Sequence, residues 1–387
     1  MYKSKRIDNL GSAIFTEMAN RKKQQIAKGK NVIDLSIGTP DLPPPSVVIQ
    51  AMADALSDYN AFYYSLKGSQ QLYQSIASWY QKRFSVILDT NTEILDLIGS
   101  QDGLAHLPLA LIDPGDIVLV PDPGYPIYQG SVELAGGKIY PMPLMEQNSF
   151  LPDLDKIPKD IAQQAKLMII NYPSNPVAAI AGLDFFQKVV HFAKQNKIVV
   201  VHDLAYSELA FDGYKPPSFL QVTGAKDIGV EINSLSKSYN MAGARFGFMV
   251  GNRDIIQSLG TLKSNIDYGV FHVVQAGAIA ALEEDGSHCA DMAQIYQKRR
   301  DLLIEGFNDL GWKIEKPKAS MFVWAKNPGQ LTSREFAYSL LEEAGIVVIP
   351  GDAFGLMGEG YVRIALVQND NKIKEAIKQL AQSKISF

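Results

Sequence analysis

Cysteine is almost absent: Cys289 is the single one in 387 residues. No internal disulfide can form, which excludes a cross-linked secreted scaffold and fits a reducing compartment. Long apolar runs are also missing. No stretch approaches the ~18 residues of a bilayer span, and Met1-Tyr2-Lys3-Ser4-Lys5-Arg6 leads into no apolar segment. Neither a membrane anchor nor a secretory signal is expected, and a cytoplasmic location is. Nor is there an excess of charge of one sign, since 37 Lys and Arg stand against 41 Asp and Glu, a net charge of −4. A nucleic-acid binder carries a basic excess or a long basic face. The one basic cluster, Arg21-Lys22-Lys23 with Lys28 and Lys30, is short, interleaved with Gln, and reads as a solvated helix face. Internal repeats and Gly/Ser-rich or Pro-rich linkers are lacking too.

What is present is a chain 47% apolar and 20% charged, long enough to bury a large core. Strand-length apolar runs recur at Ile94–Ile98, Ile117–Val120, Leu167–Ile170, Ile198–Val201, Val230–Asn233 and Phe246–Val250. Several are apolar at consecutive positions, as for strands covered on both faces. Helical patterns lie between them at Gln70–Phe84, Gly103–Ile112 and Leu183–Gln195, which predicts an α/β fold around a mostly parallel sheet. Past Asp285 a charged helical stretch, Ala290–Leu310, precedes strand candidates at Ile314–Glu315, Met321–Trp324, Val347–Ile349 and Tyr361–Leu366. Thr332-Ser333-Arg334-Glu335 reads as a capping box for a helix over Ser333–Ala344 that stops at Gly345. The expected division is an N-terminal segment, 1–46, packing on a small α+β domain at 285–387, with a large domain at 47–284. A long helix should join the two domains.

In an open α/β sheet, ligands bind beyond the carboxyl ends of the strands. The first strand runs into Gly99-Ser100-Gln101-Asp102-Gly103 and a helix start, a setting suited to phosphate. The others run into Pro121-Asp122-Pro123-Gly124-Tyr125, Asn171-Tyr172-Pro173-Ser174-Asn175-Pro176, His202-Asp203-Leu204-Ala205-Tyr206 and Ser234-Leu235-Ser236-Lys237, with Arg245 just downstream. Singly, each has a plainer reading as a turn, a helix cap or a solvated surface group. Together they put an amine, a carboxylate, an amide, two aromatics and a phosphate loop at one sheet edge. That set suits pyridoxal 5'-phosphate (PLP), whose aldehyde takes a lysine and whose pyridinium takes an acid.

Over about Ile33 to Leu366 the chain resembles the class I/II aminotransferases of PLP fold type I, nearest the subgroup with diaminopimelate aminotransferases. The most specific stretch is Ser234-Leu235-Ser236-Lys237-Ser238-Tyr239-Asn240-Met241-Ala242-Gly243-Ala244-Arg245-Phe246-Gly247. The resemblance implies Lys237 as Schiff-base lysine and proton shuttle, and Asp203 as partner of the pyridine nitrogen. It implies that Tyr206 and Asn175 bond the ring oxygen and that Tyr125 stacks on the ring. Phosphate contacts fall to Ser100, Gln101, Ser234, Ser236 and Arg245, with Tyr63 reaching the neighbouring subunit's phosphate in a homodimer. Arg363 would grip the substrate α-carboxylate, near the backbone at Ile37 and Gly38.

The activity so implied is ping-pong transfer of an amino group, through pyridoxamine phosphate, between an L-amino acid and a 2-oxo acid such as 2-oxoglutarate. Diaminopimelate-like amino acids are among the candidate donors. A C–S lyase, a decarboxylase or a non-catalytic regulatory protein are the alternatives. Two departures stand out. Val177-Ala178-Ala179 replaces the family's frequent Thr-Gly after Asn175-Pro176, and no arginine is assigned to a side-chain carboxylate. Instead Lys263–Phe271, expected to face the substrate across the dimer interface, resembles diaminopimelate-type enzymes. His288-Cys289 lacks a partner pair for a metal. His202 and His106 are expected in structural or supporting roles.

Overall fold

The computed structural model describes Tyr2, Ser4, Arg6, Leu10 and residues 13–387; the rest of the leading segment lies outside the described residues. Its strands are β1 (Ile33–Asp34), β2 (Ile94–Leu97), β3 (Ile117–Asp122), β4 (Lys138–Pro143), β5 (Ala165–Asn171) and β6 (Val199–Asp203). They continue as β7 (Gly229–Ser234), β8 (Gly247–Gly251), β9 (Phe322–Lys326), β10 (Ile346–Val347), β11 (Ile349–Pro350) and β12 (Tyr361–Ala365). Seven strands form one sheet in the order β2-β8-β7-β6-β5-β3-β4. Only β8 runs against the rest. The chain leaves β7 at Ser234 and re-enters at Gly247, directly opposite. With no long crossover helix between them, the return strand must be antiparallel.

Alternate residues of the central strands enter two separate cores, which explains their unbroken apolar runs. Val118, Val120, Leu167, Ile169, Val201 and Ile232 pack with Leu104, Leu107, Ile255 and Leu259 of the helices Ser100–Leu111 and Arg253–Lys263. Leu119, Met168, Ile170, Val200 and Phe248 pack on the other face with Leu72, Ile76 and Tyr80 of Gln70–Phe84 and with Phe186 and Val189 of Leu183–Asn196. A third core gathers Ile14, Met18 and Leu35 with Leu303, Phe307, Val323, Phe336 and Ile364. It lies under the β11-β12-β9 sheet and the parallel β1–β10 pair. The helix Ser287–Asp309 joins the cores, with Cys289 in the first-named helical layer's opposite core and Met292 onward in the third.

Three local readings need correction. β4 carries Pro141 and Pro143, which cannot donate to a ladder, and so escapes a strand pattern; it is tolerated because it sits at the sheet edge. Ile314–Glu315 is not a strand, because Asn308 takes the Ile314 backbone N–H on Oδ1 at 2.7 Å and its C=O on Nδ2 at 3.3 Å. Val347–Ile349 divides into β10 and β11. The capping box forms as the sequence predicts, with Glu335 N–H on Thr332 Oγ1 at 3.2 Å and Thr332 N–H on Glu335 Oε2 at 2.9 Å. Among the described residues, no helix is long and apolar enough to cross a membrane.

Candidate active site

Because β2, β3, β5, β6 and β7 point the same way, their carboxyl ends open on one side of the sheet. There they surround a cavity of about 500 Å³, lined as well by Gly38, Thr39, Phe322 and Arg363. Ser100, Gln101, Tyr125, Asn175, Asp203, Tyr206, Ser234, Ser236, Lys237 and Arg245 all line it. Two expected residues do not. Ile37 is exposed, although its neighbours Ser36 and Gly38 reach the site through their carbonyls. Tyr63 is 65% exposed on a loop outside the cavity.

Lys237 sits in a one-turn helix, Leu235–Ser238, started where the Ser234 hydroxyl accepts the Ser236 N–H at 3.1 Å. Its Nζ donates to the Gly38 carbonyl at 2.5 Å. Gly38 is needed there, since a Cβ would lie 2.8 Å from the Phe322 ring. Burial, then the positive charges of Arg363 and Arg245, push the Lys237 amine down to about 8. Such an amine is neutral, and therefore nucleophilic, far nearer to physiological pH than an exposed lysine.

Asp203 ends β6 and is buried. It accepts Tyr128 Oη–H at 2.7 Å and the Ala205 N–H at 3.2 Å. Burial raises its pKa, the two hydrogen bonds oppose that, and no cation hydrogen-bonds it among the described residues. Asn171 anchors both neighbours, donating to the Asp203 carbonyl at 2.8 Å and accepting the Asn175 N–H at 2.8 Å. Tyr128 was not legible as a site residue. The signal available is its place three residues after Tyr125, which brings the two rings edge to face at 5.8 Å. Thr39, beside Gly38 in the loop that the resemblance places near the substrate carboxylate, also lines the cavity, and so does Phe322, which carried no sequence signal.

The end of the cavity beside Arg245 is built on glycine. Gly99 has φ +78°, and a Cβ there would meet Arg245 Nη2 at 2.5 Å. A Cβ on Gly247 would meet the Ser100 nitrogen at 2.6 Å. The guanidinium of Arg245 is thus brought against the start of the helix Ser100–Leu111, whose first N–H groups have no intrahelical partner.

Arg363, on β12 between β11 and β9, is buried. Nη1 donates to Asn175 Oδ1 at 2.9 Å and Nη2 to the Ser36 carbonyl at 3.0 Å. The guanidinium lies over Phe322 and Phe354, 4.1 and 4.7 Å from their centroids. Its Nε has no partner, and no carboxylate pairs with it among the described residues. Burial without a counter-charge pushes Arg363 down to about 10.

The remaining polar candidates are structural. His202 is fully buried between Glu231 Oε2 at 2.8 Å and the Tyr172 carbonyl at 3.0 Å. His106 Nδ1 bonds Asp102 Oδ1 at 2.7 Å. His288 stacks on Tyr239, and Cys289 Sγ donates to the Ser238 carbonyl at 3.4 Å. In the turn lacking its glycine, Ala178 takes φ +55° at a cost of about 1 kcal/mol. Two backbone bonds, Ser174 N–H to Ala179 at 3.0 Å and Ala178 N–H to Ser174 at 3.2 Å, keep the turn closed.

Residues 30–380 match the family model described as aminotransferase class I and II. The chain is 47% identical over 390 residues to the LL-diaminopimelate aminotransferase of Moorella thermoacetica, covering all of both chains. It is 48% identical over 386 residues to that of Syntrophobacter fumaroxidans, covering 100% of this chain and 99% of the other. Among solved structures, substrate-bound BacF of Bacillus subtilis superposes with a TM-score of 0.95 at 37% identity, over 99% of this chain and 98% of that one. A probable N-succinyldiaminopimelate aminotransferase of Thermus thermophilus gives 0.91 at 35% identity, over 96% and 100%. A lysine of lowered pKa, a buried acid and a glycine-lined helix start in one cavity, on a fold shared end to end with these enzymes, lead to one conclusion: the chain belongs to the class I and II aminotransferases and works with pyridoxal 5'-phosphate.

Proposed function

We propose that the protein moves the amino group of an LL-diaminopimelate-like amino acid to or from a 2-oxo acid such as 2-oxoglutarate. The observation that carries this reading is a buried Arg363 that among the described residues has no carboxylate partner, in one cavity with Lys237 and Asp203. A planar guanidinium missing its counter-charge suits a substrate α-carboxylate, held two-pronged. The relatives' names supply the amino acid.

The donor set fits the cofactor. The Gly99 and Gly247 cradle, with Ser100, Gln101, Ser234, Ser236 and Arg245, takes the phosphate. Asp203, buried and paired with no cation among the described residues, takes the ring nitrogen, and Tyr125 covers the ring. When bound, PLP supplies an aldehyde for amines and an electron-accepting ring. Lys237 holds and moves the substrate proton at its Nζ, while Tyr206 and Asn175 orient the ring oxygen. Tyr128 keeps Asp203 aimed into the cavity.

The same reading divides the chain at 46/47 and 284/285 and places it in the cytoplasm as a homodimer with shared sites. Tyr63, Tyr64, Leu66, Ile266, Tyr268 and Phe271 are all exposed on the two segments assigned to that interface, with Tyr59 and Phe62 exposed just before the first, and clustered exposed apolar side chains mark interaction surfaces.

Arg363→Lys keeps the charge and loses the fork. Catalytic efficiency with the amino acid is expected to fall roughly 10- to 100-fold, chiefly through KM. An equal loss with an amine lacking the carboxylate would contradict the assignment. The function itself is tested by mixing the enzyme with single amino acids and 2-oxoglutarate and identifying the products. LL-diaminopimelate consumed with glutamate formed in equal amounts is the expected result. Release of pyruvate and a thiol from a cysteine conjugate, or of carbon dioxide, without amino transfer would overturn it.

A further inference from the structure

Asp96 interrupts an apolar strand, β2, and is only 1% exposed. No cation pairs with it among the described residues. Three donors satisfy it, the Gly68 N–H at 2.7 Å and Tyr73 Oη–H at 2.8 Å on Oδ1, and the Val270 N–H at 3.0 Å on Oδ2. Burying a carboxylate without a counter-ion is unfavourable, so an apolar residue would serve a strand better unless these donors need holding.

Gly68 closes the loop that carries Tyr63, and Val270 belongs to the segment that carries Tyr268. The two are fastened to each other by Gly269 N–H on the Ser65 carbonyl at 2.8 Å. Buried Gln275 adds bonds to Ser65 Oγ at 2.9 Å, the Val270 carbonyl at 2.7 Å and the Ser69 N–H at 2.9 Å. The fit at the carboxylate is tight, for a Cβ on Gly68 would lie 2.5 Å from the Tyr73 ring and 3.0 Å from Asp96 Oδ1. Asp96 therefore ties both exposed segments to the strand that runs, three residues on, into Gly99.

We infer that Asp96 is a positioning residue for the neighbouring subunit's site, setting the Tyr63 loop against that subunit's cofactor phosphate. The inference rests on the shared-site homodimer proposed above. A separate bridge serves the subunit's own site, where buried Lys263 binds Asp102 Oδ2 at 2.5 Å, in the first turn of the phosphate-binding helix, and Asp267 at 2.9 Å. A lesion at Asp96 should thus act in trans.

Asp96→Asn keeps the shape and turns one acceptor into a donor facing donors. The holoenzyme is expected to lose roughly 10- to 100-fold in kcat/KM with its fold retained. Differently tagged subunits then give purified hybrids of Asp96→Asn with Lys237→Ala, alongside Tyr63→Phe with Lys237→Ala. In a trans arrangement one site of each hybrid carries both lesions and the other carries none, so both hybrids should recover to about half of wild-type activity. Recovery by the Tyr63 hybrid alone would overturn the Asp96 role and leave the shared site standing. Recovery by neither would overturn the shared site and the Asp96 role with it. Full activity of the Asp96→Asn homodimer would also overturn the role. Should Asp96→Asn fail to fold, Tyr73→Phe removes one donor of the three, and its several-fold loss must recover in the same hybrid; persistence of the loss there would overturn the inference.

Discussion

Lys237→Ala is expected to lower transamination by at least about 10⁴-fold, the upper range for losing a positioned proton-transfer group, while the protein still takes up PLP through its phosphate and ring contacts. The amine is not replaceable from within the cavity, since among the described residues no other lysine lines it. A small primary amine such as methylamine added to the variant should restore part of the rate. Wild-type turnover by the variant would remove Lys237 from the chemistry. The same substitution has a signature in stability. With a folded pKa near 8 against an ordinary 10.5, the lysine binds fewer protons folded than unfolded between those values. Stability of the cofactor-free protein therefore rises with pH across that window, by at most about 3 kcal/mol and by less for a part-buried amine that water still screens. Urea titrations at pH 7.5 and 10 should show the rise in wild type and a smaller one in Lys237→Ala. Equal slopes in the two proteins would mean that the amine is not held against its charge.

Asp203→Asn should leave the fold intact, because the amide fills the same volume and Tyr128 can still hydrogen-bond it. The loss falls on the ring nitrogen. A carboxylate about 4 Å from a cationic nitrogen is worth about 4 kcal/mol at an effective dielectric constant near 20, which corresponds to roughly a thousandfold in the proton-transfer step. Rapid-mixing measurement of a single half-reaction with LL-diaminopimelate isolates that step. A rate within about threefold of wild type would reduce Asp203 to an anchor for its own loop, through the Ala205 N–H.

Most of the sheet and one side of the cavity were legible because parallel strands covered on both faces write unbroken apolar runs, and the polar residues that follow them gather at one edge. Asn175, Asp203, Ser234 and Lys237 all follow such runs. The rest depended on distance along the chain. Tyr128 reads as a core aromatic until its hydroxyl meets Asp203, 75 residues away. Arg363 is singled out only by the family resemblance, since nothing in its own strand pattern brings it to Asn175, 188 residues away, where β9 and β12 place it. Asp96 passes unmarked inside the apolar run Ile94–Ile98, because its three donors come from two other segments. Two proline residues hid β4, and one asparagine side chain dissolved the strand expected at Ile314. Tyr63 has no counterpart in the cavity of its own chain, as the proposed cross-subunit role requires.

The central claim is that Lys237 carries the cofactor. Borohydride reduction of the holoenzyme, followed by digestion and mass spectrometry, fixes the cofactor where it is bonded. One phosphopyridoxyl group per chain, on Lys237, is the predicted result. The group on any other lysine, or a holoenzyme that retains none after reduction, would contradict the account.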